Sequence, residues 1–179
     1  MKKQIIAFGA SSSKNSINQK LAKYASQQIG EAEIDLLDLN NYEMPIYSID
    51  KENENGIPQL AHDFKKLIEK ADGLIMSFAE HNGNYSAAFK NIFDWVSRID
   101  MKVWAGKPTL LMATSPGGRG GRSVLDIATA QFSRMSPDLV VTYSLPSFNN
   151  NFSSDLGILD SELNELFQNQ IRVFKDQVL

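Results

Sequence analysis

The amino-acid sequence predicts an α/β domain built on a doubly wound, five-stranded parallel sheet in three α/β/α layers. Three observations point there. Short unbroken apolar runs recur along the chain, helical stripes of apolar residues separate them, and turn chemistry closes each run. An unbroken run reads as a strand buried on both faces, the mark of a parallel sheet. Strands that alternate with helices imply right-handed crossovers within one sheet.

The first strand is Ile5-Ile6-Ala7-Phe8, closed by Gly9. Ile17, Leu21, Tyr24, Ala25 and Ile29 then recur on one helical face. Glu33 to Leu39 alternates, which suits an edge strand. Asn40 to Pro58 is polar and reads as a long structureless connection. Such loops are often functional, and this one reads equally as a cover for a ligand, a seat for a partner subunit or a solvated surface. Leu60, Phe64, Leu67, Ile68 and Ala71 form the next helical stripe, and Leu74-Ile75-Met76 the next strand, ending near Ser77. Ala88, Ile92, Trp95, Val96 and Ile99 make a third stripe. Met101, Val103 and Trp104 then read as core rim or as a dimer patch. Thr109 to Ala113 is a strand closed by Thr114-Ser115-Pro116. A helix is predicted across Val124 to Met135, and a strand over Leu139-Val140-Val141. Ser144 to Leu156 reads as an ordered excursion, and Leu159, Leu163, Leu166, Phe167, Phe174 and Val178 as a final helix. With 179 residues and no composition break, one domain over 1–179 is expected.

Composition excludes several classes of function. Lys and Arg number 18 against 21 Asp and Glu, a net charge of −3, too mild and too negative for nucleic acid or an anionic membrane as the main partner. Cysteine is absent, which removes disulfides, thiolate metal sites and cysteine nucleophiles. His62 and His81 lack companion ligands, so no metal is expected. The start of the chain lacks the apolar length of a signal peptide, and no stretch approaches a membrane span, so a cytoplasmic protein is expected. The sequons at Asn84 and Asn151 carry no meaning without secretion.

Ligands of doubly wound sheets bind at the carboxyl ends of strands near the switch point. Three loops therefore matter. Gly9 to Asn18 joins a strand to a helix and brings hydroxyls, Lys14 and a helix start together. Unpaired N–H groups at a helix start attract phosphate. Ser13 stands where a Walker A loop needs its second glycine, and only Gly9 of a dinucleotide fingerprint is present, so both nucleotide motifs fail. A serine-rich, glycine-poor loop suits one monophosphate, as in FMN; it reads equally as a helix capped by Ser16 after a polar turn. Glu80 to Tyr85 holds the tight turn Asn82-Gly83 and offers amides, backbone donors and an aromatic ring to a planar ligand. Ser115 to Arg122 carries four glycines between positions 117 and 121, which let backbone pass close to a ligand or leave a flexible solvated loop. Arg119 and Arg122 are candidates for the phosphates of a nicotinamide cofactor.

Together these loops resemble the NADPH-dependent FMN reductase family, which includes azo-dye, quinone and chromate reductases. Its motif G-S-x-R-x-x-S-x-N is matched at Ser11, Ser16 and Asn18, with Ser13 in the arginine place. Its motif P-E-Y-N-G-S-Y-P-G-x-L-K-N-x-x-D-W is matched at Glu80, Asn82, Gly83, Tyr85, Lys90, Asn91, Asp94 and Trp95. Ala79, His81 and Ser86-Ala87 depart from it. The Ser-Pro-Gly-Gly turn is intact at Ser115 to Gly118.

The resemblance implies a flavodoxin-like fold and an oxidoreductase in which NADPH or NADH passes hydride to N5 of FMN. Free flavin, a quinone or an azo compound then takes the electrons as small-molecule acceptor. It implies a homodimer or homotetramer. By the same resemblance the first loop holds the FMN phosphate, the second lies along the ring system and the third completes the ring pocket. The candidate FMN-binding residues are then Ser11, Ser13, Lys14, Ser16, Ile17 and Asn18; Ala79, Glu80, His81, Asn82, Gly83 and Tyr85; and Ser115, Pro116, Gly117 and Gly118. No side chain is expected to be catalytic, since the flavin carries the chemistry. A flavodoxin-type electron carrier and a flavin-free relative are the alternatives.

Overall fold

The unbroken apolar runs are explained by burial on two faces at once. In a computed structural model, which describes residues 2–136 and 139–179, strand β1 (Gln4–Ala10) sends Ile5 and Ala7 to one face of the sheet. Ile6, Phe8 and Ala10 go to the other face. β3 (Gly73–Phe78) and β4 (Thr109–Thr114) are buried at every position. The sheet is wholly parallel, with order β2-β1-β3-β4-β5, where β2 is Glu33–Leu36 and β5 is Val140–Leu145. The reversal of strand order between β1 and β3 opens a crevice at their carboxyl ends.

Helices α1 (Ile17–Gln27) and α7 (Ser161–Val178) cover one face. The other is covered by α3 (Gln59–Lys70), α4 (Ala87–Ile99) and α5 (Arg122–Met135). The second layer contains an aromatic block in which Trp104 stacks on Phe132 at 4.7 Å and on Phe89 at 5.9 Å. Val103 and Trp104 are thus core, while Met101 is exposed. Trp104 is carried by the segment after α4, which a buried lysine anchors. Lys65 reaches across from α3 to donate to Asp100 Oδ2 (3.0 Å), the Lys102 carbonyl (2.7 Å) and the Val103 carbonyl (3.3 Å). The Lys102 N–H and then the Lys65 ammonium hold the Asp100 carboxyl below its ordinary value.

Several expectations from the sequence are corrected. β1 does not stop at Gly9 but continues through Ala10, and Gly9 lies where α1 crosses it. A Cβ there would stand 2.4 Å from the Gln19 nitrogen, so the glycine serves close packing of helix on strand and not a turn. β3, by contrast, ends at Phe78, beside the expected Ser77. The connection 40–58 is not structureless. It holds a 3-10 turn (Leu39–Tyr42) and a helix α2 (Ile49–Asn55), capped by Ser48 with Asp50 and Glu52 in its first turn. α2 buries no residue, so it has no apolar stripe to betray it. β5 runs on to Leu145. A short helix α6 (Phe148–Asn151) and the hairpin β6 (Phe152–Ser153) with β7 (Gly157–Ile158) follow it. The last helix starts only at Ser161, capped by Asp160, and leaves Leu159 and Leu166 exposed. No helix among the described residues is long and apolar enough to cross a membrane.

Two predictions follow from this packing. Gly9→Ala is expected to lower the unfolding free energy by about 2–3 kcal/mol through overpacking. Gly118→Ala, whose Cβ meets nothing within 4 Å, is expected to change it by less than about 0.5 kcal/mol. Urea unfolding of both variants checks the pair. The Asp100 carboxylate, stabilised in the folded state, contributes fully above its ordinary value of 3.8 and loses that contribution as pH falls through the lower folded value. Asp100→Asn is therefore expected to reduce stability at neutral pH and to narrow the gap to wild type in acid, read from unfolding midpoints across the acid range.

Candidate functional site

Three strand ends meet at the crevice, and side chains knit them together. Ser16 caps α1, its hydroxyl accepting from the Gln19 N–H at 3.2 Å. The N–H groups of Ile17 and Asn18, in the first turn, have no partner within the helix. Asn18 itself is 3 % exposed. Its Oδ1 accepts from the Ser77 hydroxyl (2.7 Å) and the Thr114 N–H (3.1 Å), and its Nδ2 donates to the Thr114 carbonyl (3.2 Å). One side chain thus joins α1 to the ends of β3 and β4. Ser86 adds a second tie: it caps α4 and donates to the Ala10 carbonyl at 2.8 Å.

The second loop turns at Asn82 (φ 52) and Gly83 (φ 75), with paired hydrogen bonds between His81 and Asn84. Both central residues have positive φ, as Asn-Gly favours in a tight hairpin turn. Glu80 points at the start of α5, where Oε2 accepts from the Val124 N–H at 3.2 Å. A carboxylate there is stabilised by the positive helix end. The third loop is pinned from outside: the Ser147 N–H donates to the Gly117 carbonyl (2.9 Å) and the Phe148 N–H to the Ser115 carbonyl (3.0 Å).

Between the loops lies a cleft of about 250 Å³. Ten of the predicted residues line it: Ser11, Ser13, Ser16, Ile17, Asn18, Ala79, Glu80, His81, Ser115 and Pro116. Asn15 and Thr114 line it too and are absent from the predicted set. Their position beside serine and proline at strand ends was the available signal. Lys14, Asn82, Gly83, Tyr85, Gly117 and Gly118 are not among its walls.

The structure gives Tyr85 a different place from the one expected. Its ring is 6 % exposed and packs on Phe78 (5.4 Å) and Phe89 (4.9 Å), with the hydroxyl donating to Gln131 Oε1 at 2.7 Å. Burial pushes its phenol well above the ordinary value. It belongs to the core, where it presents no face to a planar ligand. The four glycines of the third loop divide in the same way. A Cβ on Gly120 (φ +60) would lie 2.5 Å from Ser144 Oγ, and one on Gly121 (φ +73) 3.0 Å from Ala113 Cβ, so both are required by packing. A Cβ on Gly117 would make ordinary contact with Ser115 Oγ at 3.8 Å, and one on Gly118 would meet nothing within 4 Å. Arg119 donates to Ser123 Oγ, and Arg122 pairs with Asp126.

A second cleft, of about 420 Å³, lies between segment 39–46 and the start of α4, and shares the first loop through Ser12. Its walls are set by Asn91, whose Oδ1 accepts from the Tyr47 N–H (2.9 Å) and whose Nδ2 donates to the Met44 carbonyl (2.9 Å). Trp95 Nε1 donates to the Pro45 carbonyl at 2.7 Å. The Asn and Trp of K-N-x-x-D-W therefore clamp the segment after β2 onto α4. No group of three or more potential metal ligands occurs among the described residues.

The sequence profile of the NADPH-dependent FMN reductases matches residues 3–148. The chain belongs to that family. It is 35 % identical over 109 residues to a 2-hydroxy-1,4-benzoquinone reductase of Burkholderia sp., covering 60 % of this chain and 57 % of that protein. It is 31 % identical over 121 residues to a quinone reductase of Escherichia coli K12, covering 67 % and 64 %. The matched segment thus spans less than two thirds of the length of these two relatives. In the solved structure of FerB, a flavoenzyme NAD(P)H:(acceptor) oxidoreductase of Paracoccus denitrificans, the same fold is found. The TM-score is 0.75 at 24 % identity, over 98 % of this chain and 97 % of that one.

Asn18→Ala is expected to leave the Ser77 hydroxyl and the Thr114 N–H buried without their acceptor, at a cost of about 2–4 kcal/mol. Ser16→Ala, which removes only a cap, is expected to cost about 1 kcal/mol. Chemical unfolding of both variants, compared with wild type, checks the difference.

Proposed function

We propose that the protein is an FMN-dependent NAD(P)H oxidoreductase that reduces a quinone-type acceptor. The observation that carries this reading is the convergence of the loops after β1, β3 and β4 on one cleft in a chain of the FMN reductase family. The residues of the cleft suit flavin mononucleotide. Hydroxyls of Ser11, Ser13 and Ser16 and the first N–H groups of α1 are donors suited to a phosphate. Ala79, Glu80, His81 and Pro116 line the remainder of the cleft, where an isoalloxazine would lie.

Bound flavin supplies the hydride-accepting centre, and the chain supplies binding and orientation. Asn18 and Ser86 hold the strand ends in register, and Glu80 fixes the second loop against α5. These are positioning residues. The quinone class of acceptor is drawn from the relatives named for quinone reduction. In this reading the protein acts in the cytoplasm as a homodimer, for which exposed Ile46 and Met101 offer apolar contact surface.

The test is direct. Protein incubated with FMN and passed through gel filtration is expected to emerge yellow. With oxygen excluded, it is then expected to oxidise NADH or NADPH beyond one equivalent of its bound flavin only when a benzoquinone or free flavin is supplied. Colourless protein, or flavin-loaded protein that turns over neither nicotinamide, rules the assignment out.

A further inference from the structure

The wall of the cleft made by Ser115 and Pro116 belongs to a loop held in shape by residues outside the cleft. Two of its carbonyls turn toward the segment after β5. The Gly117 carbonyl accepts from the Ser147 N–H at 2.9 Å, and the Ser115 carbonyl from the Phe148 N–H at 3.0 Å. The peptide units here are trans, and a planar trans unit sets its N–H opposite its C=O. The unit after Ser115 ends in proline and carries no N–H. The unit after Gly117 holds the Gly118 N–H away from residue 147, with no partner among the described residues.

Successive backbone N–H groups converge where a left-handed residue adjoins a right-handed one. Ser147 is that left-handed residue, at φ 47 and ψ 54, and Phe148 begins α6. Such a backbone is unfavourable for serine. Among the described residues other than glycine, only Asn82 and Ala105 share a positive φ. Conformations of this kind persist where the surroundings over-determine them, and they cluster at ligand sites. Phe148 is buried and stacks on Phe152 at 4.7 Å, and Phe152 meets Tyr24 of α1 at 5.4 Å. Asn151 Nδ2 donates to the Pro146 carbonyl at 2.9 Å. The Ser147 hydroxyl caps nothing, so the backbone of this residue is the part in use.

We propose that Ser147 is a positioning residue for flavin binding, in a cleft taken as the FMN site of the preceding section. Its left-handed backbone turns two N–H groups onto the third loop and fixes the wall on which the ring system rests. Ser147 lines no part of the cleft and acts through Ser115 and Gly117.

Two measurements on the full chain test this. Amide hydrogen exchange of the wild type is followed by NMR with and without saturating FMN. Coupling is reciprocal, so a clip that favours FMN is favoured by it. The Ser147 and Phe148 amides are expected to exchange about tenfold more slowly with FMN bound. Dissociation constants of variants are then read from quenching of flavin fluorescence. Ser147→Pro loses the N–H and cannot take a positive φ, and is expected to bind FMN about tenfold more weakly. Ser147→Gly keeps the N–H and takes the left-handed backbone freely, and is expected to stay within about threefold of wild type. Asp100→Asn, destabilised at a residue that does not line the cleft, is expected to stay within the same margin, which separates positioning from general stability. Wild-type affinity in Ser147→Pro overturns the proposal, as does a comparable loss in Ser147→Gly or Asp100→Asn. FMN binding that leaves exchange at Ser147 and Phe148 unchanged overturns it too, and that comparison requires no variant to fold. Failure of the wild type to bind FMN at all overturns the flavin reading itself, and the proposal with it.

Discussion

The geometry of the site depends on one buried amide. The loops after β1, β3 and β4 end on parallel strands that are linked by backbone bonds only up to their last residues. Beyond that point nothing in a sheet fixes one loop against the next. Asn18 does so here by using both ends of its side chain, accepting from Ser77 and Thr114 and donating to Thr114. Inside a core such bonds are strong, and leaving them unmade is expensive. The asparagine of the first family motif thus reads as a structural bolt that places the walls of the cleft, with its own polar atoms already engaged.

Much of the fold was legible in the sequence because two-sided burial writes itself as unbroken apolar runs. Ile5 to Phe8, Leu74 to Met76 and Thr109 to Ala113 all fall within the strands of the sheet, and the stripes through Leu21, Phe64 and Ile92 pack on it. What escaped was structure that buries nothing. α2 is held by its Ser48 cap and the acidic residues of its first turn, and no apolar period marks it. The end of β1 was misplaced for the opposite reason. Gly9 reads as turn punctuation, yet its missing side chain is needed where α1 lies against the strand.

The candidate site was legible by loop and less so by residue. Position after a strand end points to the three loops from which Ser11, Ser13, Ser16 to Asn18, Ala79 to His81 and Ser115–Pro116 line one cleft. It does not say which way a side chain turns. Tyr85 and the cluster's last two glycines are committed to packing, and Glu80 to a helix start. A chemically expressive residue in a motif is ambiguous until its partners are known. Asn91 and Trp95 make the same point, since their polar atoms hold segment 44–47 in place.

The two tryptophans of the chain sit in contrasting surroundings. Trp95 donates its indole proton to the Pro45 carbonyl, whereas the indole nitrogen of Trp104, among the described residues, is buried with no partner in a stack of phenyl rings. The molecule therefore carries two built-in optical probes, one reporting the seating of segment 44–47 on α4 and the other the integrity of the aromatic block. Replacing each by phenylalanine in turn isolates the emission of the other, so that loosening of segment 44–47 and melting of the interior become distinguishable without any added label.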